Sequence, residues 1–410
     1  MIKYIEIRNL IIVNCVYILA LFFKRIFNIF FVTHSEERIG EILPACDQYL
    51  RKKIINPSGS RVICVIGKPC NRTLINIIKK KMSFIESQFF KDLIKISHKK
   101  LLEKNLIFPF ADDHFSFGLH YKVGPQLNLS KQQIETGFSQ IKKMGINRDD
   151  WWVCFHVRDP SYLKDLYQNR DMSYHNYRDF SEETMHKGIE EVTRRGGFVI
   201  LMSDISKESS LKHNPFVVKY NKNTFKTDFL DIFLTTQAKF FVGSSSGLRY
   251  VPTSFGVPVA LCNHIGFNFL LPTENSLMIF KKLFCLKKKR LLTYDEMLGL
   301  DLFDQYKGTD ASLVEYFKEK LMVPVDNSEE EITELVKDMF DIIDKNLSNS
   351  NILIQKQFKQ HFYSKQKDID VAGNISPSFL KLNKNLFNAL FKRQLKKSRK
   401  TRTKNDNLIH

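Results

Sequence analysis

The chain has 410 residues, 43% of them hydrophobic and 26% charged, enough for two domains with real cores and unlike a low-complexity disordered chain. Its 63 basic and 44 acidic residues leave a net charge of +19, which favours polyanions: nucleic acid, anionic lipid or phosphorylated substrates. The 7 cysteines are an odd number without CxxC spacing, which argues against a zinc site or disulfide framework and for a reducing compartment.

In chain order, residues 1–32 form an apolar N-terminal segment. Leu10 to Phe23 is mostly apolar, Lys24 and Arg25 interrupt it, and Ile26 to Val32 resumes it. A membrane span needs about 20 predominantly apolar residues, so a surface-lying or buried helix is favoured over a true span. Residues 33–147 read as a mixed α/β domain. Arg61 to Ile66 is a β-branched strand closed by Gly67, Lys68 and Pro69. Ser130 with Gln133 makes a capping box for a helix carrying Ile134, Phe138 and Ile141, and Gly145 is placed to end it.

Residues 148–350 alternate strand and helix. Trp151 to Val157 is a continuous apolar strand, and Ser181 is a candidate cap for a helix reaching Gly196 and Gly197. Phe198 to Met202 is the next strand, with a short one at Phe216 to Lys219. Thr227 opens a helix, Lys239 to Gly243 is a strand, a serine turn leads to a helix from about Leu248, and Pro258 to Cys262 closes the series. Strands buried on both faces and separated by helices imply a parallel, Rossmann-like sheet. Ser328 and Glu331 cap a further helix whose Ile332, Leu335, Val336, Met339, Phe340 and Ile343 share a face. Residues 351–410 form a basic helical tail, with eight Lys or Arg and no acid between Lys392 and Lys404, suited to an anionic membrane surface.

In an open parallel sheet, ligands bind beyond the carboxyl ends of the strands. His156 and Arg158 leave the first strand on one side, and an Arg there is suited to a diphosphate; the structural alternative is an ion pair with an acid such as Asp159. Ser244, Ser245, Ser246 and Gly247 form a turn of amides and hydroxyls that favours an anion, although it is no Walker loop. Asp228 and Asp231 share a face at the start of the preceding helix, either orienting the donor or Arg158 or complementing the helix dipole. The polar stretch through Asn169, Arg170, Asp171, Asn176, Tyr177 and Arg178 reads as an acceptor-facing lid, with Arg178 the preferred contact.

Several stretches together resemble a bacterial glycosyltransferase family found with surface-polysaccharide biosynthesis genes. They are FHVRDPSY, NYRDFS, the run from Thr227 to Asn263, VDNSEEEITELVKDMF, and RIGE at Arg38 to Glu41. FHVR is also similar to the His-x-Arg element of GDP-fucose-dependent fucosyltransferases, whose Arg contacts the donor diphosphate. The resemblance implies a GT-B-like α/β fold: two Rossmann-like domains facing a cleft, with C-terminal helices. It also implies a cytoplasmic enzyme, peripheral to or anchored in the inner membrane, with no metal and no cofactor beyond a nucleotide-sugar donor, GDP-linked by the fucosyltransferase comparison. The acceptor would be a glycan or lipid-linked sugar. Arg158 and Ser244 to Gly247 would then hold the donor, with Asp159 or His156 as catalytic base, and Glu41 contacting the acceptor across the cleft. Two departures stand out: Glu41 replaces an expected His, and Met202-Ser203-Asp204 stands where relatives carry an Arg/Gly pair. Two other readings compete. One is a pyruvyl or polyol-phosphate transferase on a similar fold. The other is a non-catalytic, membrane-associated partner of a polysaccharide assembly, which predicts Arg158 held in a buried ion pair. Nucleic-acid binding is disfavoured, because no RRM, KH, helix-turn-helix or zinc module is present.

Overall fold

The computed structural model describes residues 2–108, 117–158, 167–168, 171–203, 211, 214–220, 224–265, 271–300, 310–362, 372–388 and 390–391. Asp159, Asn169, Arg170, Asp204 and the basic run Lys392 to Lys404 lie outside them. The chain divides into two compact units. One comprises Met1–Lys143, Lys226–Gln237 and Gly247–Val257; the other comprises Met144–Phe225, Ala238–Ser246 and Pro258–His410. One change of unit falls after Lys143. The helices from Thr227 and Leu248 group instead with the first unit, which linear order along the chain does not reveal.

The first unit holds α1 (Ile2–Phe27), β1 (Ile29–Val32), α2 (Ile39–Ile55), β2 (Arg61–Ile66), α3 (Arg72–Lys79), β3 (Ser83–Glu86), α4 (Gln88–Glu103), α5 (Phe117–Val123) and α6 (Lys131–Lys142). Its three strands pair in parallel in the order β1-β2-β3. The apolar N-terminal segment is not one element. Lys24 and Arg25 fall inside the last turn of α1, and Ile29 to Val32 turns into the sheet after Asn28 at φ 53°. α6 has the expected reciprocal capping box, and Gly145 takes φ 84° after it.

The second unit is built on β4 (Trp152–His156), a 3-10 turn at Ser173–Arg178, α7 (His186–Arg194), β5 (Phe198–Leu201) and β6 (Val217–Val218). The chain then makes α8 (Asp228–Thr236) in the first unit and returns as β7 (Phe240–Gly243). It leaves again as a 3-10 turn at Gly247–Arg249 and α9 (Tyr250–Phe255), and comes back as β8 (Val259–His264) and β9 (Leu277–Phe280). There follow β10 (Lys282–Cys285), β11 (Arg290–Leu291), α10 (Tyr294–Leu298), α11 (Asp310–Glu319), β12 (Met322–Val325), α12 (Glu329–Ile343), α13 (Asn349–Phe362), β13 (Asn374–Ile375) and α14 (Pro377–Leu382).

Seven parallel strands run in the order β13-β9-β8-β7-β4-β5-β6. Counted within this sheet, that is 7-6-5-4-1-2-3, the doubly wound Rossmann order. The order in which successive strands are laid down reverses across the parallel pair β4 and β7, so the switch point lies between them. β10, β11 and β12 form a separate antiparallel sheet.

Trp152, Val153, Cys154, Phe155, Phe240, Phe241 and Phe280 are fully buried, as strands covered on both faces require. Burial pushes the Cys154 thiol far up and the Cys262 thiol to about 12, which makes both inert core residues. α12 covers the sheet with its predicted face; Ile332, Leu335, Val336, Met339 and Phe340 are buried, while Ile343 at its end is only half-buried. Ser181 differs from expectation: its side chain caps nothing, and a 3-10 turn at Glu182–Met185 precedes α7.

Candidate functional site

The carboxyl ends of β4, β7, β8 and β9 carry a contiguous polar group. His156 ends β4, and its Nδ1 lies 3.2 Å from the Ser246 Oγ in the turn after β7. Its ring stacks on Phe241 at 6.2 Å. The next hydroxyl of the turn, Ser245 Oγ, lies 2.7 Å from His264 Nδ1 at the end of β8. Two strand-terminal histidines therefore bracket the serine turn. Ser246 N–H donates to the Ser244 carbonyl at 2.7 Å, which tightens the turn on itself, and Ser244 is fully buried.

His264 reaches Ser245 because β8 is irregular there. Asn263 takes φ 52°, the register of β8 against β9 shifts between Leu261 and His264, and such a bulge re-aims the following side chain. Asn tolerates this left-handed conformation better than branched residues do. Asn327 secures it: its Oδ1 accepts from Asn263 N–H at 2.7 Å, while Asn327 N–H donates to Asn263 Oδ1 at 2.8 Å.

Arg158, two residues beyond His156 and 8% exposed, gives a guanidinium nitrogen to Asp179 Oδ1. Lys281, immediately after β9 and 3% exposed, donates from Nζ to the Asp179 carbonyl at 2.7 Å and pairs with Asp326 at 2.6 Å. Burial pushes the Asp179 carboxyl above its usual value, opposed by Arg158, Lys281 and Arg178. Arg178 itself contacts His175 Nδ1 within the 3-10 turn and lies over the Tyr177 ring at 5.8 Å. Among the described residues the group thus sets Arg158, Arg178 and Lys281 against Asp179 and Asp326, an excess of one positive charge before either histidine is protonated.

The structure joins His156, Arg158, Ser244, Ser245, Ser246 and Arg178 in this one unit, and leaves the other described candidates, Asp228, Asp231, Glu41 and Gly247, in the first unit. Asp228 sits in the first unit, where its Oδ2 accepts from Arg72 N–H at 2.7 Å and its carbonyl accepts from Asn71 Nδ2 at 2.9 Å. That carboxylate serves the first turn of α3, where negative charge is favoured. Asp231 is half-buried in α8, which Thr227 caps as expected through Leu230 N–H. Glu41 is exposed and pairs with Arg38 at 3.1 Å.

Gly247 also belongs to the first unit, where its backbone lies against Gly40 of the RIGE element. A Cβ on Gly40 would come within 2.6 Å of Gly247 Cα, and one on Gly247 within 2.9 Å of Gly40 N. The helix expected from Leu248 is a short 3-10 turn followed by the six residues of α9. Such a short helix has little dipole to offer an anion, so any anion affinity rests on the turn and the cations.

Asp179, Ser203, His264, Lys281, Asp326 and Asn327 are residues of the group that the sequence reading does not single out as site residues. A signal exists for three of them: LMIF is another short apolar run, and Lys281 stands at its carboxyl end. The V-D-N-S stretch is more than a helix cap, since Asp326 and Asn327 brace Lys281 and Asn263. Ser203 Oγ accepts from Val157 N–H at 2.9 Å, so this side chain supports the chain leaving β4.

No protein-family model matches the sequence, and no curated protein matches it. Three solved structures are similar in fold at low identity. A glycosyl transferase of family 9 from Veillonella parvula has a TM-score of 0.39 and 11% identity over 77% of this chain and 97% of its own. ADP-heptose LPS heptosyltransferase II of E. coli has a TM-score of 0.34 and 13% identity over 57% of this chain and 83% of its own. The dodecameric, iron-containing glycosyltransferase TibC of enterotoxigenic E. coli has a TM-score of 0.30 and 13% identity over 57% of each chain. These likenesses are distant, and the functional reading rests on the site.

Proposed function

We propose that the chain is a glycosyltransferase that moves a sugar from a nucleotide-sugar donor to a surface-polysaccharide or glycolipid acceptor. One observation carries the reading. At the switch point of a Rossmann-order sheet, the chain leaving β4 supplies a buried Arg, and the chain leaving β7 supplies a serine turn hydrogen-bonded to the same strand end. Lys281, reaching Arg158 through Asp179, adds a second buried cation.

In the reaction the bond from the anomeric carbon to the donor phosphate oxygen breaks, and negative charge grows on the departing nucleoside diphosphate. Arg158 and Lys281 hold fixed positive charge for that group, and cations already in place cost no reorganisation when it forms. The acceptor hydroxyl forms the new bond and gives up its proton. His156 is the described candidate for the base, oriented through Nδ1 by Ser246. Asp159, the other candidate, lies outside the described residues. The scheme asks for no metal.

The Arg158–Asp179 pair favours a second reading, a non-catalytic partner of polysaccharide assembly in which Arg158 is structural. Calorimetric titration with ADP, GDP, UDP, CDP and CMP separates the two. Micromolar binding of one nucleotide, lost in Arg158→Ala, supports the transferase and names its donor class. Folded protein that binds none of the five supports the partner reading.

A further inference from the structure

The packing of α1 bears on what its apolar sequence leaves open. From Ile7 to Phe27 the helix has a mean hydropathy of 2.1 over 21 residues, enough by length and composition to cross a bilayer. One face is already occupied. Val16, Tyr17, Ala20 and Leu21 pack on a cluster of Val65, Ile94, Leu101 and Leu106 contributed by β2, α4 and the residues after it. Polar contacts fix the same register: Lys100 of α4 reaches Asn14 Oδ1 and lies over the Tyr17 ring, and Lys24 Nζ donates to the Asn105 carbonyl at 2.6 Å.

The opposite face is bare. Ile7, Ile11, Cys15, Ile18, Phe22 and Ile26 follow one another at spacings of three or four, which places them on one stripe of the helix, and all six are exposed. A transmembrane orientation of residues 7–27 would pull Val16, Tyr17, Ala20 and Leu21 away from α4 and leave its apolar cluster facing water. The side-on arrangement keeps that cluster covered and still offers the outer stripe.

We infer that α1 lies along an anionic membrane surface, docked on the first unit by its inner face and inserted among lipid acyl chains by its outer stripe. Charge decides between lipid and a protein groove as the occupant. There is no acid between Ile7 and Phe27, Arg8, Lys24 and Arg25 lie at its ends, and the neighbouring α4 exposes Lys95 and Lys99 in a chain of net charge +19. Basic residues flanking an in-plane apolar face are the chemistry of binding to anionic headgroups.

The test uses the full chain with phosphatidylcholine vesicles, with and without phosphatidylglycerol, in a co-sedimentation assay. Binding is expected to be about tenfold stronger with the anionic lipid. Ile11→Glu with Ile18→Glu should weaken it by at least about tenfold, whereas Ile54→Glu with Ile55→Glu, exposed at the end of α2, should not. Equal binding to both vesicle types, or an unaffected Ile11/Ile18 double variant, overturns the inference. A second measurement keeps the apolar side chains of the stripe and reports from within it: an environment-sensitive fluorophore on Cys15 in a Cys70→Ser background should shift to the blue on anionic vesicles, and no shift overturns it. Alkaline carbonate should release the protein from cell membranes; resistance to carbonate means a true span. A parent dimer that ignores vesicles and becomes monomeric in the double variant means that a second copy covers the stripe. Either of these last two results also overturns it.

Discussion

Gly40 and Gly247 give the sharpest test of the packing in the first unit. Gly40→Ala places a methyl group 2.6 Å from Gly247 Cα, where carbon atoms settle at about 3.5–4.0 Å. The neighbour is backbone, so no rotamer change can relieve the clash and the chain must move by about an ångström. Overpacking of this kind costs about 1–3 kcal/mol. At about 2–4 °C per kcal/mol for a unit of this size, a loss of about 2 kcal/mol lowers the melting temperature by about 4–8 °C. Gly299→Ala is the control, because its nearest neighbour would lie 3.4 Å away and its φ is −73°. Gly247 directly follows Ser246, so Gly40→Ala should also weaken nucleotide binding more than Gly299→Ala does. Thermal melts and titration of the two variants side by side measure both effects. A Gly40→Ala protein that melts with its parent and binds nucleotide equally well refutes the close approach and its link to the turn.

Three further outcomes follow from the geometry. Arg158→Ala should cost about 1–2 kcal/mol in denaturant unfolding by stranding the Asp179 carboxylate, with solvent absorbing part because that side chain is 25% exposed. Adding Asp179→Ala should restore some of the loss, and a double variant as unstable as the sum of the singles refutes the coupling. His120 is held at about 3 by burial and the Arg51 guanidinium, so the folded state resists its proton while the unfolded chain accepts it near the usual value of 6.5. Its contribution is present above pH 6.5 and is lost as the pH falls from there toward 3. Relative to the parent, His120→Gln should therefore gain about 1.4 kcal/mol per pH unit on acidification through that window. Asp47, pushed up to about 6 mainly by burial, works in the opposite sense: it favours folding below its unfolded value near 3.8 and loses this as the pH rises through 6. The two offset each other between about pH 4 and 6, and a parallel pair of pH–stability curves for parent and His120→Gln would refute the assignment. Thr227→Ala removes the hydroxyl that accepts from Leu230 N–H, and should lower stability by about 1 kcal/mol in the same unfolding assay.

Local physics was legible in the sequence. The strand at Trp152 to His156, the caps at Ser130, Thr227 and Ser328, and the buried face of α12 depend on residues a few positions apart, so periodicity and capping chemistry reveal them. The position of Arg158 and Ser244 to Ser246 at strand ends was equally legible, because parallel sheets expose their carboxyl ends in a predictable way. Partnership was not. Asp179 lies 21 positions from Arg158, Lys281 lies 102 from Asp179, and Asn327 lies 64 from Asn263, with nothing local to mark them as pairs. Tertiary structure alone assigned Asp228 to the first turn of α3, turned one apolar segment into a helix and a strand, and set Gly40 against Gly247. A hydrophobic or capping pattern is written within a few turns of chain, whereas a hydrogen bond between strand ends exists only after the sheet has ordered its strands.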